Sequence, residues 1–178
     1  AYYGRGFVKS KLGDPRGAIE DYTKAAEIGN NESAKIVYDA KMTKALLDEL
    51  RNGVQDKVKI AEFTTERAEV YFNRGSAKAK SGDAKQAMED YNRAIALNPI
   101  YAEAYFFRGV AKSNLGDQRN AIQDCSNAIK LNPKYAEAYY VRGIIKLALS
   151  DNTGCMDLSK SGELGYNQAY QVIREHCN

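Results

Sequence analysis

"AYFFRGVAKSNLGDQRNAIQDCSNAIKLNP" occupies residues 104–133, and "VYFNRGSAKAKSGDAKQAMEDYNRAIALNP" at 70–99 says nearly the same thing one interval earlier. Self-similarity at a fixed period of about 34 residues is the signature of a repeat architecture. Anchored on Arg-Gly, copies stand at Arg5-Gly6, Arg74-Gly75, Arg108-Gly109 and Arg142-Gly143. The last three are evenly spaced, and the first gap is two such periods plus one residue. An aromatic lies three positions before each Arg (Tyr2, Tyr71, Tyr105, Tyr139). Gly-Asp follows in three copies at Gly13, Gly82 and Gly116, then small residues at Ala18, Ala87, Ala121 and at Ala25, Ala94, Ala128. Asn-Pro closes two copies, at Asn98-Pro99 and Asn132-Pro133.

The spacings predict two antiparallel helices per copy. The aromatic, the Arg-Gly pair and a following lysine fall at i, i+3, i+4 and i+7, one face of a helix. Gly-Asp breaks it, with glycine suited to the position after the helix and Asp able to cap the next one. Glycine on the first helix and alanine on the second allow close approach of the two backbones, and Asn-Pro stops the second helix. A pair of helices this short cannot bury its apolar face alone, so neighbouring copies must stack.

The aromatic, Gly, Gly, Ala, aromatic-or-Cys (Tyr22, Tyr91, Cys125), Ala and Pro pattern at this period resembles the tetratricopeptide repeat (TPR) family. The resemblance implies an all-α fold, a right-handed superhelical solenoid of antiparallel helix pairs. Repeats are expected at 1–31, 68–101, 102–135 and 136–166, the last with a turn one residue shorter ("SDNTGCMD"). Residues 167–178, with Ala169, Val172 and Ile173 on one side, read as a C-terminal capping helix. Residues 32–67 fill a repeat slot without the Gly/Ala pattern and read as a degenerate helical pair. Its first helix follows Ile36, Val37, Ala40, Leu46, Leu47 and Leu50 up to the Asn52-Gly53 turn signal. Its second half, "VQDKVKIAEF", suits a short helix, although Val58 and Ile60 also suit a strand.

Each arginine has a lysine four residues on (Lys9, Lys78, Lys112, Lys146), a column of eight positive charges. Helix angles turn this column toward the partner helix and away from the family's concave face, against an exposed nucleic-acid track. The partner helix carries Asp21, Asp90 and Asp124 at one constant interval after their arginines, and Asp157 one residue nearer to Arg142. Folding about Gly-Asp brings these together, so Arg5–Asp21, Arg74–Asp90, Arg108–Asp124 and Arg142–Asp157 are expected as structural ion pairs that fix register more than they add stability.

Composition excludes several classes. Of 178 residues, 44% are hydrophobic and 28% charged, ordinary for a globular chain. Lys+Arg 26 against Asp+Glu 23 leaves +3, interspersed rather than clustered, so no nucleic-acid partner is expected. No apolar run reaches the ~18 residues of a membrane span. The chain opens inside a repeat and looks trimmed, which leaves compartment unread. Chemistry-bearing residues are few. The one histidine, His176, sits in a last helical turn where a cation suits the dipole, with no partnered nucleophile evident. Cys125, Cys155 and Cys177 lack metal-ligand spacing, and no glycine loop cradles a phosphate, so neither a metal nor another cofactor is expected. Cys125 takes an interior position held by Tyr in other copies and reads as a buried thiol. A chain reversal near Gly165-Tyr166 would bring Cys155 and Cys177 together as a possible disulfide.

By the resemblance, the inner wall comes from first helices. The residue after each anchor (Tyr3, Phe72, Phe106, Tyr140) should face it, followed by Phe7, Val110 and Ile144 four residues on. Glu69, Glu103 and Glu137 form an acidic rim. These aromatics either bind a partner or only pack between repeats. Some relatives hold a chaperone C-terminal carboxylate in a Lys/Asn/Arg clamp, whereas only Asn73 matches here, which argues against that clamp. The chain therefore reads as a non-enzymatic scaffold holding another protein or peptide segment. The alternative is an assembly element that self-associates through an open N-terminal end (Tyr2, Tyr3, Phe7).

Overall fold

A computed structural model describes residues 2–38 and 54–177, and among these it shows helices and no strand. In chain order they are α1 (Tyr2–Lys11), α2 (Pro15–Tyr38), α3 (Val54–Lys80), α4 (Ala84–Leu97), α5 (Ala102–Asn114), α6 (Gln118–Leu131), α7 (Ala136–Ala148), α8 (Gly154–Glu163) and α9 (Gln168–His176). Each helix packs on the next, the pattern of a solenoid of helix pairs. The turns follow the expected chemistry. Gly13, Gly82 and Gly116 adopt φ of +80°, +89° and +86°, a left-handed conformation that costs a side chain energy. Asp83 and Asp117 then accept the N–H of Gln86 and Asn120, capping α4 and α6.

All four Arg–Asp pairs are present, each two-pronged. The Nε donor lies 2.8 Å from the carboxylate in Arg5–Asp21, Arg74–Asp90, Arg108–Asp124 and Arg142–Asp157. The lysine one turn on joins the same carboxylate, with Lys78 at 2.8 Å from Asp90 and Lys112 at 2.7 Å from Asp124. Each carboxylate thus holds two cations, and the guanidinium also lies over its anchor tyrosine, as Arg108 over Tyr105 at 5.4 Å. The third arginine nitrogen reaches backwards. Arg74, Arg108 and Arg142 donate through Nη1 to Thr23, Asn92 and Ser126, each two residues after the Asp of the preceding pair. The arginine therefore joins repeats as well as the two helices within one.

That link corrects the placement of residues 32–67 as a slot in the stack. Arg74 bonds Thr23, Tyr3 donates to Glu69, and Asn73 donates to Tyr3, so α1–α2 sits directly on α3–α4. The described part of that stretch lengthens the flanking helices instead: α2 has 24 residues and α3 has 27, against 14 in α4 and 13 in α5. No boundary falls at 31/32 or 67/68. Val58 and Ile60 are helical, which discards the strand alternative. The Ala40–Leu50 rhythm and the Asn52-Gly53 turn lie outside the described residues.

The fourth pair departs where its turn is shortened. Ser150, in the slot of the turn glycines, has φ +62°. Gly154 replaces the alanine of the other copies, because a Cβ there would stand 2.5 Å from the Gly143 carbonyl. Gly154→Ala should cost about 2–3 kcal/mol by overpacking against backbone, whereas Ser150→Gly should gain up to about 1 kcal/mol by relieving the left-handed conformation. Denaturant midpoints of the two variants check both signs. Arg108→Ala, which leaves Asp124 with Lys112 alone, should cost about 2–3 kcal/mol, and an unchanged midpoint would refute the role assigned to the pair.

Candidate functional site

The face built by the first helices carries a chain of aromatic rings. Phe72 packs on Tyr101 at 5.0 Å, Phe106 on Tyr135 at 4.8 Å and Tyr140 on Tyr166 at 4.8 Å, a repeated pair of wall aromatic and inter-repeat tyrosine. Phe106 is 8% exposed and closes a core cluster with Ala128 and Ala138, so it is a packing residue and no part of the open wall. Phe72 is half-buried and bridges two such clusters. The ring that does open outward is Phe107, 37% exposed, set edge-on to Phe72 at 5.5 Å and Phe106 at 5.1 Å. Reading only the position after each anchor misses it, because two adjacent columns of the helix share this face. Val110, Tyr140 and Ile144 are half-buried beside it, and Phe7 is exposed on α1.

Acidic residues edge these rings. Glu103 and Glu137 are exposed and Glu69 half-buried, with the Tyr3 hydroxyl donating to Glu69 at 3.4 Å. Burial raises the Tyr101 and Tyr135 hydroxyl pKa values, and flanking carboxylates add to it: Glu69 and Glu103 for Tyr101, Glu103 and Glu137 for Tyr135. The carboxylates thus alternate with tyrosines in a negative, ring-bearing strip. Asn73 bonds the Tyr3 hydroxyl at 3.0 Å and the Glu69 carbonyl at 2.9 Å, so its amide is engaged within the fold.

The remaining candidates lie at the ends. Cys155 and Cys177 form a disulfide with Cα atoms 5.7 Å apart, tying α9 to α8. On α9 it is Ala169 that is buried, while Val172 and Ile173 are half-buried. Cys125 is buried, its pKa pushed up to about 12 by burial and by Asp124. No cluster of His, Cys, Asp or Glu suited to a metal occurs among the described residues, and no described helix is long and apolar enough to cross a membrane. His176 lies exposed near Glu175.

With this geometry established, comparison with known proteins places the chain. Family profiles described as TPR repeat and tetratricopeptide repeat match residues 75–116 and residues 1–32 and 102–135. The chain belongs to the tetratricopeptide repeat family, a family of interaction modules. Among solved structures, it resembles the first TPR of Spaghetti (RPAP3) bound to the HSP90 peptide SRMEEVD, with TM-score 0.62 and 26% identity over 64% of this chain and 92% of that one. The Arabidopsis OM64 TPR domain matches with TM-score 0.59 and 28% identity over 64% of this chain and 98% of that one. MamA matches over 93% of this chain and 96% of its own, with TM-score 0.54 and 26% identity. No curated protein matches by sequence.

The first pair also yields an electrostatic expectation. The Arg5 guanidinium, bonded to Asp21, holds that carboxyl well below the usual carboxylate range against the opposing effect of burial, with Lys9 assisting. A depressed folded pKa contributes stability above the unfolded value of ~3.9 and loses it as pH falls below. The Asp21 carboxyl carbon should therefore show no NMR titration between about pH 5 and 3, and Arg5→Ala should restore one.

Proposed function

We propose that this protein is a scaffold holding an apolar or amphipathic segment of another protein against its first-helix face, with a preference for basic flanks. One observation carries this: exposed Phe107 stands in a continuous ring cluster with Phe72 and Phe106, one helical turn after the exposed Glu103 of its own helix. Such rings supply contact area at low entropic cost, and buried aromatic anchors dominate interface energetics. Val110, Tyr140 and Ile144 extend the apolar strip, and Phe7 marks its N-terminal end. Glu69, Glu103 and Glu137 steer positive ligands and repel negative ones. RPAP3 binds an acidic HSP90 peptide. Here the rim has the same sign as that peptide, and Asn73, the sole clamp-like residue, already serves Tyr3. The proposed ligand is thus opposite in charge to the one seen on that relative.

Fluorescence anisotropy with SRMEEVD and with its charge-reversed form SRMKKVK tests the polarity. The basic peptide should bind more tightly at low salt, and the difference should shrink as salt rises. Glu103→Lys should erase or invert the preference, while Phe107→Ala should weaken the basic peptide about tenfold with the helical spectrum intact. Tighter binding of the acidic peptide by the unaltered protein would refute this reading.

A further inference from the structure

The joints that precede α3, α5 and α7 are each closed by an arginine. Arg74, Arg108 and Arg142 donate through Nη1 to Thr23, Asn92 and Ser126, two residues after the Asp of the second helix behind them. The joint between α8 and α9 repeats their backbone geometry. Ala169 donates to the Tyr166 carbonyl at its entry, as Ala104 does to Tyr101 and Ala138 to Tyr135. Tyr166 packs on Tyr140 at 4.8 Å, as Tyr101 packs on Phe72 and Tyr135 on Phe106. The cross-link differs. Seven residues after Tyr101 and Tyr135 come Arg108 and Arg142, whereas seven after Tyr166 comes Ile173, whose side chain has no donor. Ser159, two residues after Asp157, gives its hydroxyl to the Cys155 carbonyl of its own helix. At this joint the covalent Cys155–Cys177 bond stands in place of the arginine.

An arginine bond is indifferent to redox conditions, whereas a disulfide opens to a thiol. Both cysteines are half-buried rather than sealed, so a small dithiol can reach them. Cys155 is the second residue of α8, where the positive end of the helix dipole favours a thiolate. Attack on the Cys177 sulfur therefore expels the better leaving group. What holds α9 to α8 after that is packing of buried Ala169, of half-buried Val172 and Ile173, and of Tyr170 against Gly162. Helix α9 has nine residues, too few to stay helical in water without its seat.

We infer that the Cys155–Cys177 bond is a thiol-operated latch on the binding face: its reduction frees α9 from α8, Tyr166 leaves Tyr140, and the Tyr140 ring opens to ligand. Reduction is a thiol exchange. A dithiol supplies two electrons and two protons, the Cys155–Cys177 bond is replaced by two thiols, and the reductant leaves as its own disulfide. In the oxidised protein the ring strip closes on the Tyr140–Tyr166 pair. In the reduced protein Tyr140 stands open between Glu137 and Ile144, three residues before it and four after it on one face of α7. The gain in ligand contact, which rests on the binding face proposed above, is thus one more ring beside one more carboxylate.

Hydrogen exchange and fluorescence anisotropy on the whole chain, oxidised and with excess dithiol, test the latch. On reduction the hydrogen-bonded amides of Ala169, Tyr170 and Cys177 should exchange about tenfold faster, while those of α5 and α6 keep their rates. The peptide SRMKKVK should bind the reduced protein about fivefold more tightly than the oxidised one. Tyr140→Ala should abolish that difference. Cys155→Ser with Cys177→Ser should match the reduced protein with or without dithiol, which leaves no part to Cys125. Exchange in α9 that is unchanged by reduction overturns the latch. Faster exchange with an unchanged affinity for SRMKKVK overturns the opening of Tyr140. If SRMKKVK binds neither form, the scaffold reading falls, and exchange by itself decides whether reduction releases α9.

Discussion

A guanidinium carries five N–H donors in a rigid fork, and burying it demands that they be satisfied. The rest of this structure follows from how that demand is met. Two donors go to an aspartate on the partner helix, which sets the register of the hairpin. A third goes to a hydroxyl or amide on the preceding hairpin, which sets the register of the stack. Because the lysine one turn on shares the carboxylate, each repeat draws two cations into its interior against one anion. For Arg74, burial works to lower the pKa, but the Asp90 bonds outweigh it and the net shift is upward. A solenoid wired in this way tolerates replacement of its apolar residues better than replacement of its charged ones. Cys125 and Leu158 stand where Tyr22 and Tyr91 do, but no copy has lost its Asp.

This wiring leaves the other face of the first helices available for binding. Rings that follow the anchors divide between two tasks. Phe72 and Phe106 seal adjacent repeats by pairing with Tyr101 and Tyr135, and the neighbouring column, represented by Phe107, opens outward. Glutamates at the start of the same helices give that face a negative edge, which also suits the positive end of each helix dipole. The ligand charge proposed for this face is thus tied to features that stabilise the helices carrying it.

The lengthened α2 and α3 show how a repeat array absorbs inserted sequence. Extra residues that match no interface cannot enter the stack without breaking the Arg74–Thr23 bond and the Tyr3–Glu69 and Asn73–Tyr3 contacts. The described ones extend α2 and α3 at the end where a second helix hands over to a first one, and these contacts between the two pairs remain. The short fourth turn is the opposite case: a lost residue draws α7 and α8 together until only glycine fits at Gly154, where the other copies carry alanine.

Spacing alone was enough to read the helix pairs, the Arg–Asp partners and the cysteine pair, because each depends on local periodicity and on one reversal of the chain at a glycine. It did not reveal that the helix pair beginning at α1 contacts the pair beginning at α3 directly. A sequence period counts positions along the chain, whereas stacking depends on which surfaces can satisfy Arg74. Nor did it separate Phe106 from Phe107, since both rings border the joint between repeats and only the packing of the neighbouring pairs buries one and leaves the other exposed. The acceptors Thr23, Asn92, Ser126 and Ser159 were visible in sequence as a polar residue two places after each Asp. Their meaning came only from tertiary structure, which brings each one beside an arginine from the following helix pair, and in Ser159 leaves one without.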